Sequence, residues 1–103
     1  MNIDRYASVA FGGAWADQAR ELDAVSAAIR RVRMAAANTR DCDVRSPELD
    51  SALDFLAARG DRTSAHVRAF RAILAHPHPD ERARAATREA EAIAARFGIA
   101  KTA

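Results

Sequence analysis

The sequence predicts an all-α fold, a bundle of four main helices preceded by a short one. Three observations carry that expectation. Apolar residues recur at heptad spacing from Trp15 to Ala36. Ser46-Pro47-Glu48 places a capping serine, a proline at the first helical position and an acid in the first turn. Gly60 and Gly98 each stand where a helical pattern runs out. No stretch alternates apolar and polar residues long enough to make a strand.

Taken in order, Ile3, Tyr6 and Ala10 fall at helical spacing behind Asn2, a potential cap, and Gly12-Gly13 ends this short lead. Each glycine costs a helix about 1 kcal/mol relative to alanine. A long helix follows, over roughly 14–38. Trp15, Leu22, Ile29 and Ala36 form one row of its seam, and Gln18, Val25 and Val32 the other. Asp17, Glu21 and Asp23 sit in its first half and Arg30, Arg31 and Arg33 in its second, a polarity that complements the helix dipole.

After a polar link, Ser46-Pro47 opens a second helix, expected at roughly 47–59, with Leu49, Ala52, Leu53 and Leu56 on one face. Asp61 and Thr63 are candidate caps for a third, over roughly 63–76, carrying Val67, Phe70, Ile73 and Leu74. So short a link predicts an antiparallel or angled pair. His76-Pro77-His78-Pro79-Asp80 separates it from a fourth helix, over roughly 79–97, whose inner face (Ala86, Ala90, Ile93 and Phe97) is mostly alanine and permits close backbone approach.

The 103 residues are expected to form a single domain, 1–103. Half of the residues are hydrophobic, which excludes a compositionally disordered chain, but alanine supplies about half of that set. At about 25 cal/mol per Å² of apolar surface, an alanine-rich core gives modest stability, so partner burial or self-association is expected. The charge is nearly balanced, 16 basic against 14 acidic residues for a net +2. Lys101 is the only lysine, an arginine and alanine bias that fits a GC-rich bacterial or phage genome as readily as phosphate binding. Cys42 is the only cysteine, so no internal disulfide forms. No signal-peptide pattern or long apolar run appears, and a cytoplasmic location without membrane contact is the expectation.

The residues point away from catalysis. His76 and His78 flank a proline and cannot share a helix face, and His66 lies ten residues before His76. A zinc site needs three or four convergent ligands, and only Cys42 and Asp80 are available to join them. Cys42 sits between Asp41 and Asp43 with no histidine near it in sequence to act as a base. No phosphate loop, nucleophile elbow or Glu-x-x-His pair is present. No cofactor or metal is expected.

Two function classes remain. The first is a non-enzymatic interaction protein that binds another protein through an exposed helix face and pairs with a second copy of itself. Adaptors, antitoxins, immunity factors and phage-type inhibitors are of this kind. Its candidate interface is Trp15, Leu22, Val25, Ile29 and Val32. The second is a small nucleic-acid-binding regulator using Arg30, Arg31, Arg33, Arg40 and Arg45 near the end of the long helix, with Arg68 and Arg71 on the third. Helix-turn-helix readings are incomplete: His66 falls where the segment after Gly60 wants a buried aliphatic. A motif opening at Glu91 would need its recognition helix beyond Ala103.

Overall fold

The computed structural model describes residues 14–99, which form four α-helices. The expected short N-terminal helix lies outside the described residues. Helix α1 spans Ala14–Asn38, α2 Pro47–Ala57, α3 Asp61–Leu74 and α4 Pro79–Arg96. Among the described residues α1 packs on α2 and α4, α3 packs on the same two, and the backbones of the diagonal pairs do not come close. Ion pairs fix the directions. Arg40 meets Asp80 while Arg33 meets Glu91, so α1 and α4 are antiparallel. Arg71 meets Asp50 and Asp54, and Arg59 meets Glu21, so α2 runs antiparallel to both of its neighbours. The result is an up-down-up-down bundle.

Each helix turns one apolar stripe inward. Val25, Ile29 and Val32 meet Leu49, Leu53, Leu56, Val67, Phe70, Leu74 and Ile93 in one core, with Phe70, Leu56 and Ile93 wholly enclosed. On α4 the remaining buried residues are Ala86, Ala90 and Ala94, so small side chains bring that helix close to its neighbours.

Local chemistry sets the helix ends. Ser46 Oγ accepts the Leu49 N–H at 3.1 Å, a cap worth about 1 kcal/mol. Helix α2 stops at Ala57, two residues before the expected end, because the chain tightens and Arg59 N–H turns back to the Leu56 carbonyl at 3.1 Å. Gly60, at φ +145°, is itself the N-cap of α3, and the Ser64 N–H bonds its carbonyl. Asp61 and Thr63 therefore enter the first turn of α3 instead of capping it, and Thr63 is buried there. That helix ends at Leu74, where the His76 N–H reaches only to the Ile73 carbonyl. Gly98, at φ +70°, closes α4 with a double bond pattern: Gly98 N–H to the Ala95 carbonyl and Ile99 N–H to that of Ala94.

One side chain braces two helix ends at once. The Arg82 guanidinium, on α4, donates to the Thr39 carbonyl at 2.6 and 3.0 Å and to Thr39 Oγ1 at 3.0 Å. Its third nitrogen bonds the His76 carbonyl at 2.8 Å. Carbonyls left over at the ends of α1 and α3 are thereby satisfied inside the bundle. No helix among the described residues is long and apolar enough to cross a membrane.

Candidate interaction site

Length is the asymmetry that defines the site. At 1.5 Å per residue α1 is about 37 Å long, against about 16 Å for α2 and about 27 Å for α4. Its C-terminal end is level with the start of α4, through Arg40 and Asp80. Phe97, just past the end of α4, shares a groove with Val25, and Arg59, just past the end of α2, is level with Glu21. Residues 14–20 of α1 thus run about 10 Å beyond the level of the Glu21–Arg59 pair.

The heptad seam divides at this point. Val25, Ile29 and Val32 are buried in the chain's own core, at 3%, 1% and 1% exposure. Trp15 and Leu22, at the same helical spacing, are 48% and 57% exposed. The accessible part of the interface read from the sequence is therefore Trp15 and Leu22, with Gln18 between them also exposed. At their base lies an open groove of about 480 Å³ lined by Asp17, Gln18, Glu21, Leu22, Val25, Arg59 and Phe97.

Arg59 gives this groove a rigid wall. Its guanidinium lies 3.3 Å from the centre of the Phe55 ring, donates to the Phe55 carbonyl and makes a two-pronged pair with Glu21. Stacking and ion pairing together hold a long side chain in one position. Asp17 is engaged by Arg20 one turn along α1. The two acids nearest the apolar strip are thus already matched.

The arginines sort differently from their order in sequence. Arg33 makes a two-pronged contact with Glu91 at 2.8 and 2.9 Å, whose hydrogen bonds and charge raise the guanidinium above its ordinary value. Arg40 faces Asp80, and Arg71 faces Asp50 and Asp54. Arg45 grips Asp43 through its side chain at 2.9 and 2.8 Å and its backbone N–H at 3.0 Å, and holds that carboxyl down to about 2. Arg30, Arg31 and Arg68 are exposed and make no ion pair among the described residues. The two clusters read from the sequence lie on α1 with its following loop and on α3. These helices are diagonal, so the fold does not merge them into one surface.

The histidines and the cysteine are placed apart. His66 Nδ1 lies 2.8 Å from Glu89 across the α3–α4 pair. His76 Nδ1 accepts the His78 backbone N–H at 3.1 Å, which leaves Nε2 to face Glu81 at 3.4 Å. Cys42 is exposed, with Sγ 3.5 Å from the Asn38 carbonyl. No group of three or more potential metal ligands converges among the described residues. A second cleft, of about 530 Å³, opens between the start of α2 and the end of α3, with Leu49, Leu53 and Leu74 as its floor and Arg45, Asp50 and Arg71 at its rim. Each arginine on that rim already holds a carboxylate.

One residue with a clear structural role, Arg82, was not singled out from the sequence. Its main partner, Thr39, lies on the far side of α2 and α3 in the chain, and helical spacing within one segment carries no mark of such a contact. Comparison with protein-family models, with characterised proteins and with solved structures returns no match.

Proposed function

We propose that this chain is a non-enzymatic interaction protein of the cytoplasm, and that it binds a helical segment of another protein along the overhanging end of α1. The observation behind this reading is the strip formed by Trp15 and Leu22. It continues the core-facing seam beyond the point where α2 and α4 can cover it. A large aromatic and a leucine one heptad apart, above a groove floored by Val25 and Phe97, offer the anchors that helix-in-groove recognition uses. Adaptor, antitoxin, immunity or inhibitor proteins all work by such contacts.

A second copy of the chain is the competing occupant. Charge gives a mild preference for a different protein: Asp17 and Glu21 are matched by Arg20 and Arg59, which leaves Asp23 as the excess charge of the overhang. Two such ends laid antiparallel would each bring that excess negative charge to the contact.

The test compares the wild-type chain with the Trp15→Ala/Leu22→Gln double variant as baits in nuclease-treated host lysate. The expected result is a protein retained by the wild type and lost by the variant, with circular dichroism showing both baits helical. The same set of proteins on both baits would overturn the assignment. Light scattering at micromolar concentration separates the self-association alternative, which requires twice the chain mass of 11.1 kDa.

A further inference from the structure

We propose that the outer face of the α1·α4 pair, away from the Trp15 strip, is a contact surface for the phosphate backbone of duplex nucleic acid. Two helical stripes meet there. On α1 and the turn after it stand Arg30, Arg33, Ala37 and Arg40, at spacings of three, four and three; on α4 stand Glu81, Arg84, Arg88, Glu91 and Ala95, at three, four, three and four. Residues so spaced share one helix face. The Arg33–Glu91 and Arg40–Asp80 pairs bind the stripes side by side in antiparallel register. In that register Ala37 comes level with Arg88 and Ala95 with Arg30, so small residues alternate with guanidiniums across the helix pair.

The charge of this face is concentrated. Five arginines (Arg30, Arg33, Arg40, Arg84 and Arg88) stand against three carboxylates (Asp80, Glu81 and Glu91), a local excess of two that equals the total of the chain. Arg30, Arg84 and Arg88 are exposed and make no ion pair among the described residues. Arg40 and Asp80 are both open to solvent, so that pair is weak and exchangeable. Arg33, held by Glu91, is a fixed post between them.

A phosphate backbone suits this surface better than a protein does. From Arg30 to Arg40 the stripe is about 15 Å long, which matches the rise of about four nucleotides along one strand. Guanidiniums meet phosphate oxygens with paired hydrogen bonds. The two stripes contain no aromatic side chain, and the one large apolar residue beside them, the exposed Met34, is a single flexible chain and not the cluster of anchors a protein interface normally requires. The absence of aromatics equally disfavours single-stranded bases, which bind by stacking. A side-by-side reading of α1 and α4 is what reveals the surface, since Arg84 and Arg88 are more than fifty residues from Arg30 and Arg33.

The test is fluorescence anisotropy of a labelled mixed-sequence DNA duplex, titrated with the full chain over a salt series. Three phosphate contacts predict a slope of log affinity against log salt near −2.7, or about a 40-fold loss between 50 and 200 mM salt. The Arg30→Ala/Arg84→Ala/Arg88→Ala variant should abolish most of that slope. A control, Arg31→Ala/Arg62→Ala/Arg68→Ala, removes the same charge from elsewhere and should bind within about threefold of the wild type. Circular dichroism checks that both variants remain helical. Three results would overturn the proposal: no duplex binding at 50 mM salt, equal losses in both variants, or displacement of the duplex by polyglutamate at equal charge. The last would make an acidic protein the partner of this face.

Discussion

Over residues 25–38 of α1 the inward face is closed: Val25, Ile29, Val32 and Ala36 are enclosed by the neighbouring helices. Over residues 14–24 the same face continues with Trp15 and Leu22 about half in solvent. Spacing and residue type hardly change between the two halves. What changes, among the described residues, is the presence of neighbours, because α2 and α4 are too short to follow α1 to its N-terminal end. An apolar seam therefore states where a helix is adhesive, and the lengths of the other helices decide whether the adhesion is satisfied within the chain.

The sharpest way to break this comparison is to cut the same seam on either side of the divide. Ile29→Ala should destabilise the fold by about 2–5 kcal/mol, because it empties a fully packed site. Chemical denaturation reads this directly. Leu22→Ala, one turn pair away on the same stripe, should change stability by no more than about 0.5 kcal/mol, since its side chain is over half exposed. Equal losses at the two positions would show that the strip belongs to the core.

An intermediate effect is expected at the opposite end of the bundle. Arg82→Ala removes the donors that satisfy Thr39 and His76, and should cost about 1–3 kcal/mol. Thr39 is itself buried, so water cannot readily replace the lost partner. Hydrogen exchange in the last turn of α1 should rise in this variant before it rises in α2.

The smallest effect is electrostatic. Asp43 titrates at about 2 in the folded chain because of Arg45, below its ordinary 3.8. A depressed folded value means the contact contributes above pH 3.8 and is lost as pH falls through about 2. Carboxyl-carbon NMR should place the Asp43 midpoint near 2, and Arg45→Ala should return it to the usual carboxylate range. The pair is open to solvent, so the melting temperature should barely move.

Much of the fold was legible in the sequence because its signals are local. The Ser46 cap, the Pro47 start and the Gly98 stop act within one helical turn, and each stands where the spacing placed it. Gly60 was legible as a break, but its use as the N-cap of α3 was not, since Asp61 is as good a capping residue on composition alone. The candidate surfaces were legible only in part. Trp15 and Leu22 carried the same pattern as Ile29, and nothing in that pattern encodes the length of α4. The arginines were grouped by sequence proximity, whereas antiparallel packing sets Arg33 beside Glu91 and separates α1 from α3.

Trp15 is the only tryptophan of the chain, so its fluorescence reports on the strip without a label. The most direct test is acrylamide quenching of that emission in the full chain, at a concentration where light scattering gives a monomer. An open strip predicts red-shifted emission that acrylamide quenches readily. A blue-shifted, shielded Trp15 in the monomer would contradict it, because the chain would then be covering this face itself.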